Sequence, residues 1–413
     1  MTVLVLSELF PNPENPSAGI FVLDQMRALR RQGVDFHVIA PVPWIPPFQR
    51  TRQKWQQYAR IPASDVVEGF PVTYMRFPML PKGWLFWLTG VLYYLSCRRA
   101  VGAFIRRHNI SLIHAHTIMP MGFTAVLLGR EFKVPVACTV HGSDVNIQPF
   151  TNWRNRWAAR WALKRVPHLF AVSQDLKRKI VKLAGERRVD VVRNGADVHL
   201  FHPIPQADAR DQLGLPLDRK ILLFVGNLLP VKNPALMLEA FARLSAPDPL
   251  LYVLGDGWLK GELQAKAAAL GIQERCMFIG RRPHGEIGVW LAAADCLALT
   301  SNMEGLPTVL PEAMLCRTTI VATRVGGMPE ILVHEETGLL VSPESAGEVA
   351  EAIDRILCDH DLRSRLTENA AQLANQELTW DANASQVLHA YQELLHATFP
   401  AAEAAWKRAG SRA

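Results

Sequence analysis

Short apolar runs alternate with helix-length segments twice along this chain, and that alternation limits the fold more than any other feature. Residues 2–6 form an apolar run, followed by a Pro-rich and Asn-rich turn segment at 11–16 and a helical stretch from Ile20 to Gln32. Runs at 36–40, 112–114, 135–139 and 169–172 continue the series, the last leading into a helix over 173–183. A second series opens after Asn194-Gly195-Ala196-Asp197 and the linker-like 203–211. It predicts strands at 221–225, 250–254, 276–279, 296–300, 319–322 and 338–341, with a helix at 235–244. Strands that alternate with helices imply parallel sheets covered on both faces. The chain of 413 residues therefore reads as two α/β domains of similar size, with a boundary near 195–215. In such sheets ligands bind beyond the carboxyl ends of the strands, so two domains facing each other would place a site in the cleft between them.

Composition narrows the function classes. An apolar content of 49% excludes disorder, and the six cysteines, with no Cys-x-x-Cys pair, argue against a disulfide framework or structural zinc. They read as small core residues. Met1 runs straight into an apolar strand without a basic leader, so the expected address is cytoplasmic. The charge is unevenly shared: residues 1–200 hold 27 Lys and Arg against 12 Asp and Glu, leaving 18 against 26 for the remainder. The basic half suits an anionic partner such as a pyrophosphate-bearing substrate or an acidic lipid surface; the plain alternative is uneven solvated charge.

Two aromatic stretches need separate readings. The stretch 84–97, from Trp84 to Cys97, carries no charge and ends at Arg98-Arg99. At fourteen residues it is shorter than a bilayer span, and it suits either a buried helix or an interfacial helix beside basic residues. Trp153, Trp157 and Trp161 recur at helical spacing with Arg156, Arg160 and Lys164 on a neighbouring face, a pattern read here as core. No RNA-binding signature accompanies it, so nucleic acid is not an expected partner.

The strongest chemical signal is the segment from Glu304 to Glu312, after the strand expected at 296–300. Gly305 permits a tight turn, and Pro311 is tolerated only in the first turn of a helix, which places the helix start near 308–310. Glu304 then lies on the loop and Glu312 in the first helical turn. The free N–H groups of that turn suit a diphosphate, Glu312 could accept from ribose hydroxyls, and Glu304 could hold sugar hydroxyls and oppose positive charge at an anomeric carbon. A helix N-terminus decorated with acids explains Glu312 alone, without Glu304.

In its Glu-Gly-Leu-Pro context, with Glu312-Ala-Met following, this segment resembles the retaining glycosyltransferases of family 4. Further motifs stand in the same order: Val225-Gly226-Asn227 leading to Lys232-Asn233, Gly255-Asp256-Gly257, Ala293-Ala294-Asp295, Gly326-Gly327-Met328-Pro329-Glu330, Thr337-Gly338-Leu339 and Arg193-Asn194-Gly195. The resemblance spans roughly residues 1–395, and the opening of the chain is similar to transferases that assemble bacterial surface polysaccharides. It implies a GT-B fold: two Rossmann-like, doubly wound parallel-sheet domains facing across a cleft. Residues 1–195 would bind the acceptor, 196–378 the nucleotide sugar, and a last helix at about 379–398 would pack back on the first domain.

The resemblance also distributes roles. Lys232 would approach the donor diphosphate beside Gly226 and Asn227; many relatives carry Arg where this chain has Asn227, so one charge is missing. Gly305, Leu306 and Glu312 would join Lys232 in donor binding, with Arg281 near the base and Gly19 letting substrate approach backbone. His141, directly after the apolar run ending at Val140, would act with Glu304 on the transferred sugar. Asp144 would serve the acceptor side or the loop. His114 and His116 read as structural, and Asp359-His360-Asp361, placed within a helix, is rejected as a metal motif. No metal or other cofactor is implied. The expected partners are a nucleotide-sugar donor, a saccharide or polyprenyl-linked acceptor, and the inner membrane face through the basic first domain. Alternatives are an epimerase of the same fold and a non-catalytic homologue; an oxidoreductase lacks its Gly-x-Gly-x-x-Gly after the first strand.

Overall fold

A computed structural model describes residues 1–46, 53–78 and 85–398. Trp84 and the Ala-rich end at 401–413 lie outside the described residues. The chain divides into two compact units, Met1–Val192 with Asn383–Ala413 (unit 1) and Arg193–Ala382 (unit 2).

Unit 1 is built on an eight-stranded sheet. Its strands are β1 (Thr2–Ser7), β2 (Asp35–Pro43), β3 (Ser64–Val67), β4 (Phe70–Phe77), β5 (Leu112–His116), β6 (Val136–Val140), β7 (His168–Ala171) and β8 (Val189–Val191), in the order β3-β4-β2-β1-β5-β6-β7-β8. The central strands β5, β6 and β7 are buried at every position, which is why they read as short, mainly apolar runs rather than as an alternation of apolar and exposed polar residues. The sequence predicts a wholly parallel sheet, but β3 pairs antiparallel with β4 at the edge. That hairpin and the three-residue β8 escape a search for apolar runs, because β3 and β8 have mixed burial and β4 alternates.

Unit 2 carries β9 (Ile221–Val225), β10 (Leu250–Leu254), β11 (Cys276–Gly280), β12 (Cys296–Leu299), β13 (Ile320–Thr323) and β14 (Leu339–Val341). They form one parallel sheet in the order β11-β10-β9-β12-β13-β14, with Ile221 opposite Leu250 and Leu222 opposite Cys296. This is the doubly wound order, in which the chain reverses its direction of growth between β9 and β12. A core of Leu222, Phe224, Leu236, Phe241, Leu251 and Ile353 fills one side of the sheet. Asp295, at the foot of β12, is buried and accepts from Arg210, Arg363 and the Ile221 N–H, so this motif residue anchors the sheet rather than serving chemistry.

Several local expectations change. The helix expected at 235–244 runs only over Pro234–Phe241. Asp359 lies between two helices, Ala346–Cys358 and His360–Glu377, and caps the second by accepting from the Leu362 N–H at 2.8 Å. It is a capping residue at a junction, not part of a continuous helix. Five cysteines are buried, but Cys358 is exposed. The described part of 84–97 forms a 3-10 turn (Phe86–Leu88) and the start of the helix Thr89–His108, with Tyr93 and Cys97 inward and Leu95 outward. Of the three spaced tryptophans, Trp161 alone fits the core reading, stacking on Phe123 at 4.3 Å, whereas Trp153 and Trp157 are exposed. Among the described residues, no helix is long and apolar enough to cross a membrane.

Candidate active site

The sequence-predicted residues fall into two groups, one on each unit, and apart from Arg281 they follow strands at or next to a reversal of strand order. In unit 2 the group is fixed by three loops at the carboxyl ends of β9, β12 and β13. After β9 the chain turns through a 3-10 segment, Pro230–Lys232, into Asn233, which caps the helix Pro234–Phe241 with its side chain. The loop after β12 is tied to it. Thr300 Oγ1 donates to the Asn233 carbonyl at 2.9 Å, the Asn302 N–H to the Val231 carbonyl at 2.9 Å, and Asn233 Nδ2 to Asn302 Oδ1 at 3.1 Å.

This bracing brings Lys232 Nζ to 2.6 Å from Glu304 Oε1, and Ser301 Oγ donates to the same oxygen at 2.6 Å. Glu304 is only 10% exposed in its side chain and Lys232 26%, so the pair is largely withdrawn from water and its attraction correspondingly strengthened. Glycines permit the close approach of backbones around it. A Cβ on Gly326, whose φ is +55°, would lie 2.1 Å from the Glu304 carbonyl oxygen; one on Gly255 would lie 1.9 Å from that of Gly226. The Gly327 N–H also donates to the Gly305 carbonyl at 3.0 Å.

Glu312 sits in the first turn of the helix Val309–Leu315, within the start range read from Pro311. It is buried and meets His284 Nε2 at 3.0 Å, and the His284 ring packs against Phe201. Leu306 is buried and its carbonyl accepts from Asn194 Nδ2 at 3.0 Å. Asn227 and Arg281 are exposed, on the loops after β9 and after the edge strand β11. The sequence reading gave Asn233 only as part of a motif, with no role, and missed Ser301, Asn302 and His284. The signal for the first was available, since Asn-Pro at a helix start is a capping pattern; the others depend on contacts between distant loops.

In unit 1 the group follows β1, β5 and β6. His116, read as structural, ends β5, and its Nδ1 lies 3.0 Å from His141 Nε2, with the two rings stacked. The Phe21 ring packs against His141 at a tilt, 4.6 Å between ring centres. His141 Nδ1 and His116 Nε2 are left buried without a hydrogen-bond partner. Burial pushes the His141 imidazole down to about 3 and His116 well below its ordinary value, with neighbouring histidines adding to the second shift. Both rings are therefore neutral near pH 7. His114 is held at both nitrogens, by Tyr391 Oη and Thr139 Oγ1, as a structural residue would be.

Asp144 is fully buried; it accepts from the Ile118 N–H at 2.9 Å and the Gly142 N–H at 2.8 Å. These bonds tie the loop after β6 to the turn at Ile118. Gly19 has φ +59°, and a Cβ there would meet the Leu9 carbonyl oxygen at 2.1 Å, so any side chain is excluded from the turn before the helix Ile20–Arg31. Glu8, absent from the sequence reading, stands exposed after β1 yet recessed among protein atoms, 3.4 Å from Thr117 Oγ1. Desolvation first, then the Asp144 carboxylate, raise its carboxyl to about 7 against the lowering effect of the Thr117 hydroxyl.

Comparison with known proteins gives the family of the chain. The model for glycosyl transferases group 1 matches residues 205–373, and that for glycosyltransferase family 4 matches residues 18–200. A D-inositol 3-phosphate glycosyltransferase of Corynebacterium glutamicum (strain R) is 35% identical over 71% of this chain and 75% of its own length. The chain belongs to the group 1, family 4 glycosyltransferases. TuaC of Bacillus subtilis (strain 168), a glycosyltransferase named for teichuronic acid biosynthesis, is 28% identical over 95% of this chain and 98% of its own. Among solved structures, sucrose-phosphate synthase of Thermosynechococcus elongatus matches with a TM-score of 0.81 at 22% identity, covering 96% of this chain and all of that one. HepE of Anabaena, solved with UDP-glucose, matches with a TM-score of 0.75 at 22% identity, covering 95% of this chain and 100% of its own. These likenesses give the glycosyltransferase the GT-B fold.

Proposed function

We propose that this glycosyltransferase moves a sugar from a nucleoside diphosphate sugar to a saccharide or polyprenyl-linked acceptor, with retention of anomeric configuration, in cell-surface polysaccharide assembly. The observation that carries the reading is the Lys232–Glu304 pair at 2.6 Å, placed where the unit 2 sheet reverses its strand order. A leaving nucleoside diphosphate needs a positive group, and Lys232 supplies one without a bound metal. Donor binding then draws the ammonium toward phosphate, which frees Glu304 to accept from sugar hydroxyls and to oppose charge at the anomeric carbon. Glu312, steadied by His284, meets the ribose.

Unit 1 receives the acceptor in this reading, and neutral His141 offers its unpartnered Nδ1 to a sugar hydroxyl. Retention places departure and attack on one face of the sugar, with the leaving phosphate oxygen taking the acceptor proton. The name of the Bacillus subtilis relative supports polysaccharide chemistry, and the solved complex of HepE with UDP-glucose makes UDP the first donor to test. The excess of basic groups in residues 1–200 suits a membrane-borne anionic acceptor and contact with the inner membrane face.

A thermal-shift panel with UDP, GDP, ADP and CDP tests the donor half. One nucleotide at about 100 times its Kd is expected to stabilise the protein by roughly 2.7 kcal/mol, and Lys232→Ala should lose most of that response. No response to any nucleotide would remove the reading and favour a non-catalytic homologue.

A further inference from the structure

The helix Trp153–Leu163 turns its buried side, Asn155, Ala158, Ala159 and Ala162, toward the unit 1 core. At 100° per residue, Trp153, Trp157, Arg160 and Lys164 cluster within about 60° on the opposite side. The two indoles therefore occupy the positions farthest from the core, 73% and 52% exposed. Phe150 and Ile147, in the turns just before, are exposed as well, at 62% and 42%. Residues 153–165 hold five basic groups and no acid. Among the described residues none of the five forms an ion pair, and two lie over exposed rings: Arg154 at 5.3 Å from Trp153 and Arg156 at 5.8 Å from Phe150.

A solvated surface helix puts charges outward and aromatic rings inward; this one puts both outward. We propose that this face, centred on Trp153, Trp157, Arg160 and Lys164, is a docking surface for an anionic phospholipid bilayer. Indole rings settle at the boundary between headgroups and acyl chains, where the ring is buried and its N–H stays hydrated. Interleaved cations meet lipid phosphates there, each adding roughly fivefold to partitioning onto an anionic surface. The charge pattern selects this occupant: a second copy of the same face would bring like charges together. The proposal rests on the membrane reading of the proposed function and names the surface responsible.

Full-length protein floated with vesicles of equal parts phosphatidylglycerol and phosphatidylcholine is expected to bind, and with phosphatidylcholine alone to bind at least tenfold less. Trp153→Ser with Trp157→Ser should lower partitioning about tenfold or more, as should Arg160→Glu with Lys164→Glu; about 0.5 M salt should mimic only the second pair. Absence of binding to the anionic vesicles, or equal binding by the parent and both variants, overturns the proposal. So does a change of the tryptophan variant from dimer to monomer in sedimentation with vesicle binding unaltered, which assigns the face to a second copy. The nucleotide thermal shift, read on the same preparations, keeps the two readings apart. Vesicle binding without any nucleotide response upholds this surface and removes the donor site, and the reverse removes the surface alone.

Discussion

The two units solve one placement problem with opposite electrostatics. Each sheet reverses its strand order next to its first strand, between β1 and β5 in unit 1 and between β9 and β12 in unit 2, and each gathers its polar side chains on the loops beyond that point. Unit 2 places an ion pair there, Lys232 with Glu304, held by hydrogen bonds between loops. Unit 1 places neutral rings there, His116 against His141, kept uncharged by burial. The same topology thus yields one site suited to a charged ligand and one that offers hydrogen bonds without charge. The difference arises in the strand ends as well as the loops, since β5 itself carries His114 and His116 whereas β9 and β12 are wholly apolar.

The comparison breaks most visibly in rate. In a nucleotide-release assay with a sugar donor, Lys232→Ala and Glu304→Gln are each expected to lower kcat/KM by about 100-fold to 1,000-fold, the usual scale for removing a group that stabilises developing charge. His141→Ala should cost about 10-fold to 100-fold, since a neutral ring contributes a hydrogen bond rather than a charge. A loss at His141 equal to that at Lys232 would mean that unit 1 carries charge stabilisation as well, and the contrast would fail.

Acid sharpens the contrast on the stability side. His114 and His141 are both held down to about 3 by burial, and His116 is lowered with them. Unfolded histidines near 6.5 take up protons that the folded ones refuse, so stability falls as pH falls below about 6.5. Each such histidine should remove about 1 kcal/mol between pH 6.5 and 5.5, with the loss continuing toward the folded values. Hydrogen exchange followed by peptide mapping is expected to show β5 and β6 opening first on acidification. Earlier opening of β9 and β12 would place the acid-sensitive element in unit 2.

What the sequence made legible follows the same division. Both sheets were readable because a buried parallel strand must be an apolar run; the limits expected for β9 and β10 are those observed. The start of the helix after Glu304 followed from Pro311, whose ring fits only a first turn. The β3–β4 hairpin was not readable, because edge strands are half solvated and carry no such run. Lys232 and Glu304 were legible as motif residues, but their contact joins loops 72 positions apart and requires Thr300, Asn302 and Asn233 to lock the loops together. His284 and Glu8 carry no local pattern at all. Trp153 and Trp157 were misread for a related reason: spacing shows that residues share a face, and only packing shows which face is inside.

Glu8 offers the finest test, because its carboxyl, just after β1, changes charge near neutrality. Its carboxyl is raised to about 7, mainly by desolvation and then by the buried Asp144 carboxylate. A raised carboxyl favours the folded protein below its unfolded value, and that contribution is lost as pH climbs toward 7. The side chain remains exposed, so solvent screening keeps the effect the smallest of the three. Glu8→Gln is expected to steepen the fall in stability between pH 7 and 4.5, because it removes a contribution that opposes the loss from the histidines, while carbon NMR of labelled glutamate should find one carboxyl with its midpoint near 7 in the parent and none in the variant. A midpoint in the ordinary carboxylate range would mean that water reaches Glu8 freely, and that unit 1 carries a full negative charge beside its neutral histidines throughout the neutral range.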